Sequence, residues 1–211
     1  MAEDNEIVLY HSPASRAFTA FWLLEELGLT FRVETVDITK GEQKSPEYLK
    51  INPAGKVPAV SDHGEIITEN PAICILMADR YGYGDLAPKI DDPDRAAYLK
   101  WMIYATAVVE PVRDIRKAQL ALSAYHHGFG DYDDMVRLLC EALQDREYLL
   151  GDKFSAADVM LGSVISTSLF NKSLPQEPAL LDYNYRLTLR EAYQRAADAT
   201  WPPYLFNSPG G

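Results

Sequence analysis

The 211-residue chain has two cysteines, Cys74 and Cys140, too few for the disulfide framework that staples small secreted domains. Its longest apolar stretch, Trp101 to Val109, falls far short of the ~20 residues that span a bilayer. Basic residues are scarce: 20 Lys and Arg stand against 31 Asp and Glu, a formal net charge of −11. A nucleic-acid binder needs a basic footprint, which this balance does not supply. The first residues, Met1-Ala2-Glu3-Asp4-Asn5-Glu6, are acidic and lack the basic-then-apolar order of a secretory leader. No repeat or low-complexity tract is present. These absences leave the expectation of a soluble, reduced, cytoplasmic protein. Hydrophobic residues at 47% and charged residues at 24% are ordinary globular usage, and the length allows one large domain or two small ones.

The texture of the chain changes near residue 84. Before it, strand patterns alternate with helical ones. Ile7-Val8-Leu9-Tyr10 is apolar throughout, as in a strand buried on both faces. Phe18, Phe21, Trp22, Leu24 and Leu27 recur at helical spacing over Arg16 to Leu27, and Gly28 supplies a stop. Phe31 to Val36 alternates as a strand. Ser45-Pro46 reads as an N-cap with proline at the first helical position. Val57 to Val60 and Glu65 to Thr68 are two further strands around the Asp62-His63-Gly64 turn, and Asn70-Pro71 opens a helix ending near Tyr81-Gly82. The order is βαβαββα. Its crossover connection makes the first two strands parallel, and the tight turn makes the last two antiparallel. This predicts an α/β thioredoxin-like domain over residues 1–83.

Residues 84–92 read as a linker, and residues 93–211 as an all-α helical-bundle domain. A long helix starts at Pro93-Asp94-Arg95, with Pro111 predicting a kink in it. Residues 124–134 read as a loop, 135–150 as helix, and 179–199 as one final helix. Phe154-Ser155-Ala156-Ala157-Asp158 reads as a helix start, with Ser155 at the N-cap, Asp158 at N3 and Phe154 with Val159 as a hydrophobic staple. The helix after it is apolar nearly all round, the mark of a domain core. Cys74 and Cys140 both fall within apolar helices and are expected to be inert core residues. His126 and His127, with Asp131, Asp133 and Asp134, are adjacent in a Gly-rich stretch and read as a polar loop, with no metal expected.

Four segments of the first domain carry polar residues where chemistry could occur: Tyr10-His11-Ser12-Pro13-Ala14-Ser15-Arg16, Gly41 to Leu49, Asn52 to Val60, and Thr68-Glu69-Asn70-Pro71. In their order and spacing, together with Gly151-Asp152-Lys153-Phe154-Ser155-Ala156-Ala157-Asp158-Val159, they resemble a soluble glutathione S-transferase of the bacterial-like, serine-type kind. The resemblance implies glutathione (GSH) as co-substrate, an electrophilic and largely apolar small molecule as the second substrate, a homodimer, and no partnership with nucleic acid or membrane. It implies a cis Val57-Pro58 bond that turns the Val57 main chain outward to pair with the cysteinyl backbone of GSH. Glu69 and Asn70, at a helix N-terminus, would meet the γ-glutamyl ammonium and carboxylate, although relatives usually place Ser or Thr where Asn70 stands. Asn70 and Glu69 also fit as an ordinary N-cap and dipole partner. Gln43, Lys44 and Lys56 match positions that meet the glycine carboxylate, and they would make the cleft of an acidic protein locally positive.

The catalytic hydroxyl falls in the first segment. Lowering a thiol by about 2 pKa units needs about 2.7 kcal/mol of thiolate stabilisation, which a hydroxyl donor and helix-terminal N–H groups could supply. Ser12, four residues before Arg16, ranks first. Ser15 is second and also fits as a helix cap. Tyr10 is third, at the strand end used by tyrosine-type relatives. Tyr104 and Val108, with Tyr10, are candidates for the electrophile pocket, although core packing ranks first as the role of each. No cysteine lies in this segment, which argues against the thiol-transferase branch with its own protein nucleophile. The alternatives to a transferase are a non-catalytic module on the same fold and a GSH-dependent isomerase, dehalogenase or peroxidase.

Overall fold

The structure, a computed structural model, describes residues 6–121 and 127–201. Its strands are β1 (Ile7–His11), β2 (Phe31–Thr35), β3 (Ala59–Asp62) and β4 (Glu65–Thr68). Its helices are α1 (Ala17–Glu26), α2 (Pro46–Leu49), α3 (Asn70–Tyr81), α4 (Arg95–Tyr104), α5 (Glu110–Lys117), α6 (Tyr132–Leu143), α7 (Ala156–Phe170), α8 (Pro178–Thr188) and α9 (Glu191–Thr200). They form two compact units. One runs to Tyr81 and resumes at Arg190; the other is Gly82–Leu189.

The first unit is thioredoxin-like, with a four-stranded sheet in the order β2-β1-β3-β4. β1 is parallel to β2 and antiparallel to β3, and β3 is antiparallel to β4. Ile7, Val8 and Leu9 are buried, as their unbroken apolar run requires at the centre of a sheet. β2 lies at an edge and is largely exposed. β3 begins at Ala59 rather than Val57, because Val57-Pro58 is a cis bond in the loop that precedes it.

The C-terminal helix joins this unit, whereas the sequence pattern places residues 93–211 in one helical domain. α9 packs on α1, where Tyr193 meets Phe18 and Trp22 edge-on at 5.1 and 4.9 Å. Arg190 grips Glu26 through two bonds of 2.6 and 2.7 Å, the bidentate geometry that suits guanidinium and carboxylate. The expected single helix over 179–199 is therefore two. Arg190 takes an extended conformation (φ −73°, ψ 131°), which ends α8 and lets α9 turn onto α1.

The second unit is all-helical. α4 and α5 are joined by a π turn at Ala105–Val109. Pro111 follows two residues after its end, and a proline there removes one N–H and crowds the carbonyl four residues back. The irregularity expected at Pro111 is thus absorbed in the turn before it. α6 begins at Tyr132, earlier than the expected 135, because the Asp131 side chain accepts the Asp134 N–H at 2.9 Å. It ends at Leu143 rather than 150, where Gln144 turns extended. The stretch expected as a linker is built in: Leu86 and Ala87 are buried, and the Leu86 carbonyl accepts the Ala156 N–H at 2.9 Å.

α7 is buried along most of its length and forms the core of this unit. The capping box predicted at Ser155 and Asp158 is present. Asp158 does more than cap. Its buried carboxylate accepts from Ser155 N–H at 2.9 Å, Ser155 Oγ at 3.1 Å, Leu149 N–H at 2.9 Å and Tyr183 Oη at 3.0 Å. Burial pushes its carboxyl up to about 6 even against these donors. One side chain thus ties the start of α7 to the loop before it and to α8. Asp158→Ala, which leaves these donors buried and unpaired, is expected to lower stability by about 3 kcal/mol or more, measured by urea unfolding. A loss below about 1 kcal/mol would count against this reading.

Candidate functional site

The turn between β1 and α1 carries the three candidate hydroxyls. Ser12 is buried, and among the described residues its Oγ has no hydrogen-bond partner. Its carbonyl accepts from Ser15 Oγ at 2.6 Å, and Ser15 Oγ in turn accepts the Ala17 N–H at 3.1 Å. Ser15 therefore closes the first turn of α1, although the helix proper starts one residue later than a Ser15 cap would give. Tyr10 packs edge-on against Tyr48, with ring centres 6.0 Å apart.

This turn is held from a direction the sequence did not indicate. Ala14, at a left-handed φ of 52°, donates its N–H to the Thr200 carbonyl at 2.8 Å. His11 Nε2 lies 3.1 Å from Thr200 Oγ1, and its ring meets Phe21 edge-on. Burial lowers His11 from 6.5 to about 4, so the imidazole is neutral at pH 7. The period-two pattern of β1 places His11 on the face of Ile7 and Leu9, which was legible. Thr200, 189 residues away, had no sequence signal. Several turn amides expected to face a thiolate are already taken: Ala14 by Thr200, Ala17 by Ser15 Oγ, and Phe18 by the Ser15 carbonyl. Of the three candidate hydroxyls, Ser15 is spent on the Ser12 carbonyl, which leaves the Ser12 and Tyr10 hydroxyls as donors.

The loop leading to the cis Val57-Pro58 bond is pinned at the Lys56 carbonyl. That oxygen accepts from Tyr48 Oη at 2.7 Å and Asn52 Nδ2 at 2.8 Å, while Asn52 Oδ1 accepts the Ala54 N–H at 3.0 Å. Val57 is thereby presented on a fixed frame. Its own N–H and C=O have no partner among the described residues. Lys44 Nζ donates to the Ala54 carbonyl at 2.9 Å. A Cβ at Gly55 (φ 59°) would come within 2.6 Å of that Nζ and 2.8 Å of the Gln43 carbonyl, so only glycine fits this close approach. Gln43 and Lys44 are thus brought against the loop that carries Lys56 and Val57. The Lys56 side chain is exposed, and Gln43 Oε1 is buried without a partner.

At the start of α3, Glu69 is exposed with a left-handed φ of 69°, unusual for a residue with a long side chain. Its carbonyl accepts the Ile73 N–H at 2.9 Å, so Glu69, not Asn70, holds the cap position. Asn70 is buried and reaches across to α1, where its Nδ2 donates to the Arg16 carbonyl at 3.0 Å. Asn70 Oδ1 is buried without a partner. The N-terminal turns of α1 and α3 are therefore bonded to each other, which brings the Ser12–Arg16 segment and the Glu69–Asn70 pair to one place.

The remaining candidates stand apart from these three segments. Tyr104 and Val108 belong to the helical unit and are half-buried rather than core. Cys74 is buried, and burial pushes its thiol well up. Cys140 is only half-buried, so the expectation of a core residue is corrected, and its thiol is also raised by burial. His126 lies outside the described residues. Asp131 caps α6 and Asp134 pairs with Arg137 at 2.9 Å. Among the described residues, no group of His, Cys, Asp or Glu could hold a metal ion, and no helix is long and apolar enough to cross a membrane.

Residues 5–76 match the family described as glutathione S-transferase, N-terminal domain. Glutathione S-transferase hmp2 of Hypomyces subiculosus is 30% identical over 200 residues, which cover 88% of this chain and 87% of that protein. The chain belongs to the glutathione S-transferase family. Another relative is the disulfide-bond oxidoreductase YfcG of Escherichia coli, 26% identical over 204 residues that cover 90% of this chain and 94% of that protein. The fold matches the crystal structure of the glutathione transferase URE2P6 from Phanerochaete chrysosporium in complex with oxidized glutathione. The TM-score is 0.77 at 22% identity, covering 95% of this chain and 98% of that one. A glutathione transferase homologue from Lodderomyces elongisporus, with two GSH per subunit, matches at a TM-score of 0.77 and 21% identity over 94% of this transferase-family chain and all (100%) of that one.

The buried imidazole makes this unit pH-sensitive. His11 titrates at about 4 when folded and near 6.5 when unfolded, so the unfolded chain takes up the proton first. The stability this residue contributes is intact above pH 6.5 and falls as the pH drops towards 4, by up to about 3 kcal/mol. Urea unfolding at pH 7 and pH 4 should show that loss in the wild type and its absence in His11→Gln. Equal pH slopes for the two proteins would refute it.

Proposed function

We propose that this protein is a serine-type glutathione transferase. It binds GSH on the first unit, keeps the sulfur ionised with the Ser12 hydroxyl, and delivers the thiolate to an electrophilic, largely apolar small molecule. The observation that carries this is the 3.0 Å bond from Asn70 Nδ2 to the Arg16 carbonyl, which joins two helix N-terminal turns, each favouring an anion.

GSH fits the donors and acceptors of these segments. The Val57 N–H and C=O would pair with its cysteinyl main chain as one added rung of sheet. Glu69 and the unpartnered Asn70 Oδ1 would take the γ-glutamyl ammonium, and the amides that open α3 would take the adjacent carboxylate. Gln43, Lys44 and Lys56 would receive the glycine carboxylate. Pro58 shapes the loop rather than contacting the ligand through a donor. In the reaction, the GSH thiol loses its proton to solvent and the thiolate accepts a hydrogen bond from Ser12. The sulfur then attacks the electrophilic carbon and displaces or opens the leaving bond. Ser12 donates throughout and does not act as a base, since a hydroxyl proton is held far too tightly. Ser15 ranks below it because its oxygen closes the α1 turn, and Tyr10 below it because its ring packs on Tyr48. Tyr104 and Val108, half-buried on the helical unit, are proposed to supply apolar surface to the electrophile. The protein is proposed to act as a cytoplasmic homodimer in detoxification, with exposed Ile66 and Tyr81 of the first unit as apolar surface for the pairing.

A second reading is supported by the kinship with the oxidoreductase of Escherichia coli. The same thiolate could attack a disulfide instead of carbon, forming a mixed disulfide with glutathione and releasing a thiol, with a second GSH completing the exchange.

Ser12→Ala should lower kcat with a model electrophile roughly 10- to 100-fold, the worth of one bond to an ionised group. It should also raise the apparent pKa of bound GSH and change the GSH dissociation constant little. Calorimetry that records no heat on adding millimolar GSH would remove the binding reading altogether. Normal turnover in Ser12→Ala would move the assignment to Ser15 or Tyr10.

A further inference from the structure

The helical unit holds a cavity of about 350 Å³ whose lining is basic although the protein is acidic. Arg113, Arg116 and Lys117 from α5 and Lys172 just beyond α7 all face it. Four of the chain's 20 basic residues thus converge on one place in a protein with 31 acidic ones. The one carboxylate in the lining, Asp114, is tied to Arg113 at 3.0 Å. The helix C-termini contribute about half a negative charge each, so two of them leave the cavity positive by about two charges.

The guanidiniums are held in place before any ligand arrives. The Arg113 side chain is only 11% exposed, and its Nη1 donates to Ser168 Oγ of α7 at 3.0 Å. Arg116 lies over the Tyr132 ring at 5.0 Å, and that ring is fixed by its hydroxyl, which donates to the Ser173 carbonyl at 3.0 Å. Guanidinium forks match the oxygens of phosphate groups; Arg113 already gives its Nε and Nη2 to Asp114, so Arg116, preset over the Tyr132 ring, is the fork that faces a ligand with little ordering entropy left to lose.

Lys172 brings a fourth cation to the cavity from just beyond α7. It sits at a left-handed φ of 58°, a position after a helix end where Gly or Asn is at ease and a long side chain is not. Cations suit helix C-termini in general. That preference accounts for one charge at each helix end. It does not account for two helix ends converging on one cavity around a largely covered arginine.

We propose that this cavity is a binding site for a phosphate-bearing small molecule. Its size is within the range of small-ligand pockets and exceeds what an inorganic phosphate fills, so a pyrophosphate or a phosphomonoester suits it better than a single free phosphate.

The test is isothermal calorimetry on the full chain with inorganic phosphate, pyrophosphate and phenyl phosphate, at constant ionic strength set with chloride. Saturable binding of pyrophosphate or phenyl phosphate at sub-millimolar concentration, weakened at least tenfold in Lys117→Gln/Lys172→Gln, supports the site. Whichever of the two binds tighter identifies the source as a polyphosphate or an organic phosphate. Both lysines are exposed, so the double variant is expected to fold, with circular dichroism as the check. Lys172→Asn should keep or raise the melting temperature while weakening pyrophosphate. Lys44→Gln, in the first unit, should leave pyrophosphate affinity unchanged. No saturable binding by the wild type, or equal affinity in the wild type and the double lysine variant, overturns the proposal.

Discussion

The hydrogen bond between Asn70 Nδ2 and the Arg16 carbonyl, at 3.0 Å, sets the relation on which the chemistry of the first unit depends. α1 and α3 each begin with amides that lack helical partners, and each N-terminus carries partial positive charge. Alone, either is an ordinary helix end. Bonded to each other, they place the hydroxyl-bearing turn beside the Glu69 corner. In the proposed function, a ligand carrying a sulfur anion and an α-amino acid would meet both. Asn70 is suited to the task because its amide donates on one side and leaves an acceptor on the other.

That relation holds because the segments around it are over-determined. The turn after β1 is fixed by its own serine loop and by the far end of the chain, where Thr200 takes both the Ala14 amide and the His11 ring. α9 reaches that position through the Arg190–Glu26 pair and the packing of Tyr193 on Phe18 and Trp22. The loop before β3 is fixed by Tyr48 and Asn52 converging on one carbonyl. Strained backbone at Ala14 and Glu69 persists only because neighbours hold it, as is common where a ligand is to be gripped.

The helical unit follows another logic. Its centre is α7, apolar nearly all round, with a single buried carboxylate gathering donors from α7, from α8 and from the preceding loop. A polar group in such a core stabilises only when its partners are complete. The same unit gathers four of its cations around one cavity, which gives that spot a local potential opposite in sign to the net charge of the chain.

The sequence by itself determined the order of elements in the first unit, its thioredoxin-like class, the capping box at Ser155 and Asp158, and the segments proposed to carry the site. Each of these rests on local chemistry: period-two and helical apolar spacing, capping residues, prolines and turn glycines. Helix ends were less legible. The start of α6 turned on which aspartate would accept an amide, and the break between α8 and α9 on what α9 would pack against. Only the tertiary structure decided that α9 belongs with the first unit, that Thr200 holds the turn after β1, that Asn70 reaches α1 rather than capping α3, and that basic residues of α5 meet Lys172. Those are contacts between residues far apart in the chain, and no local pattern encodes which distant surface a helix will bury.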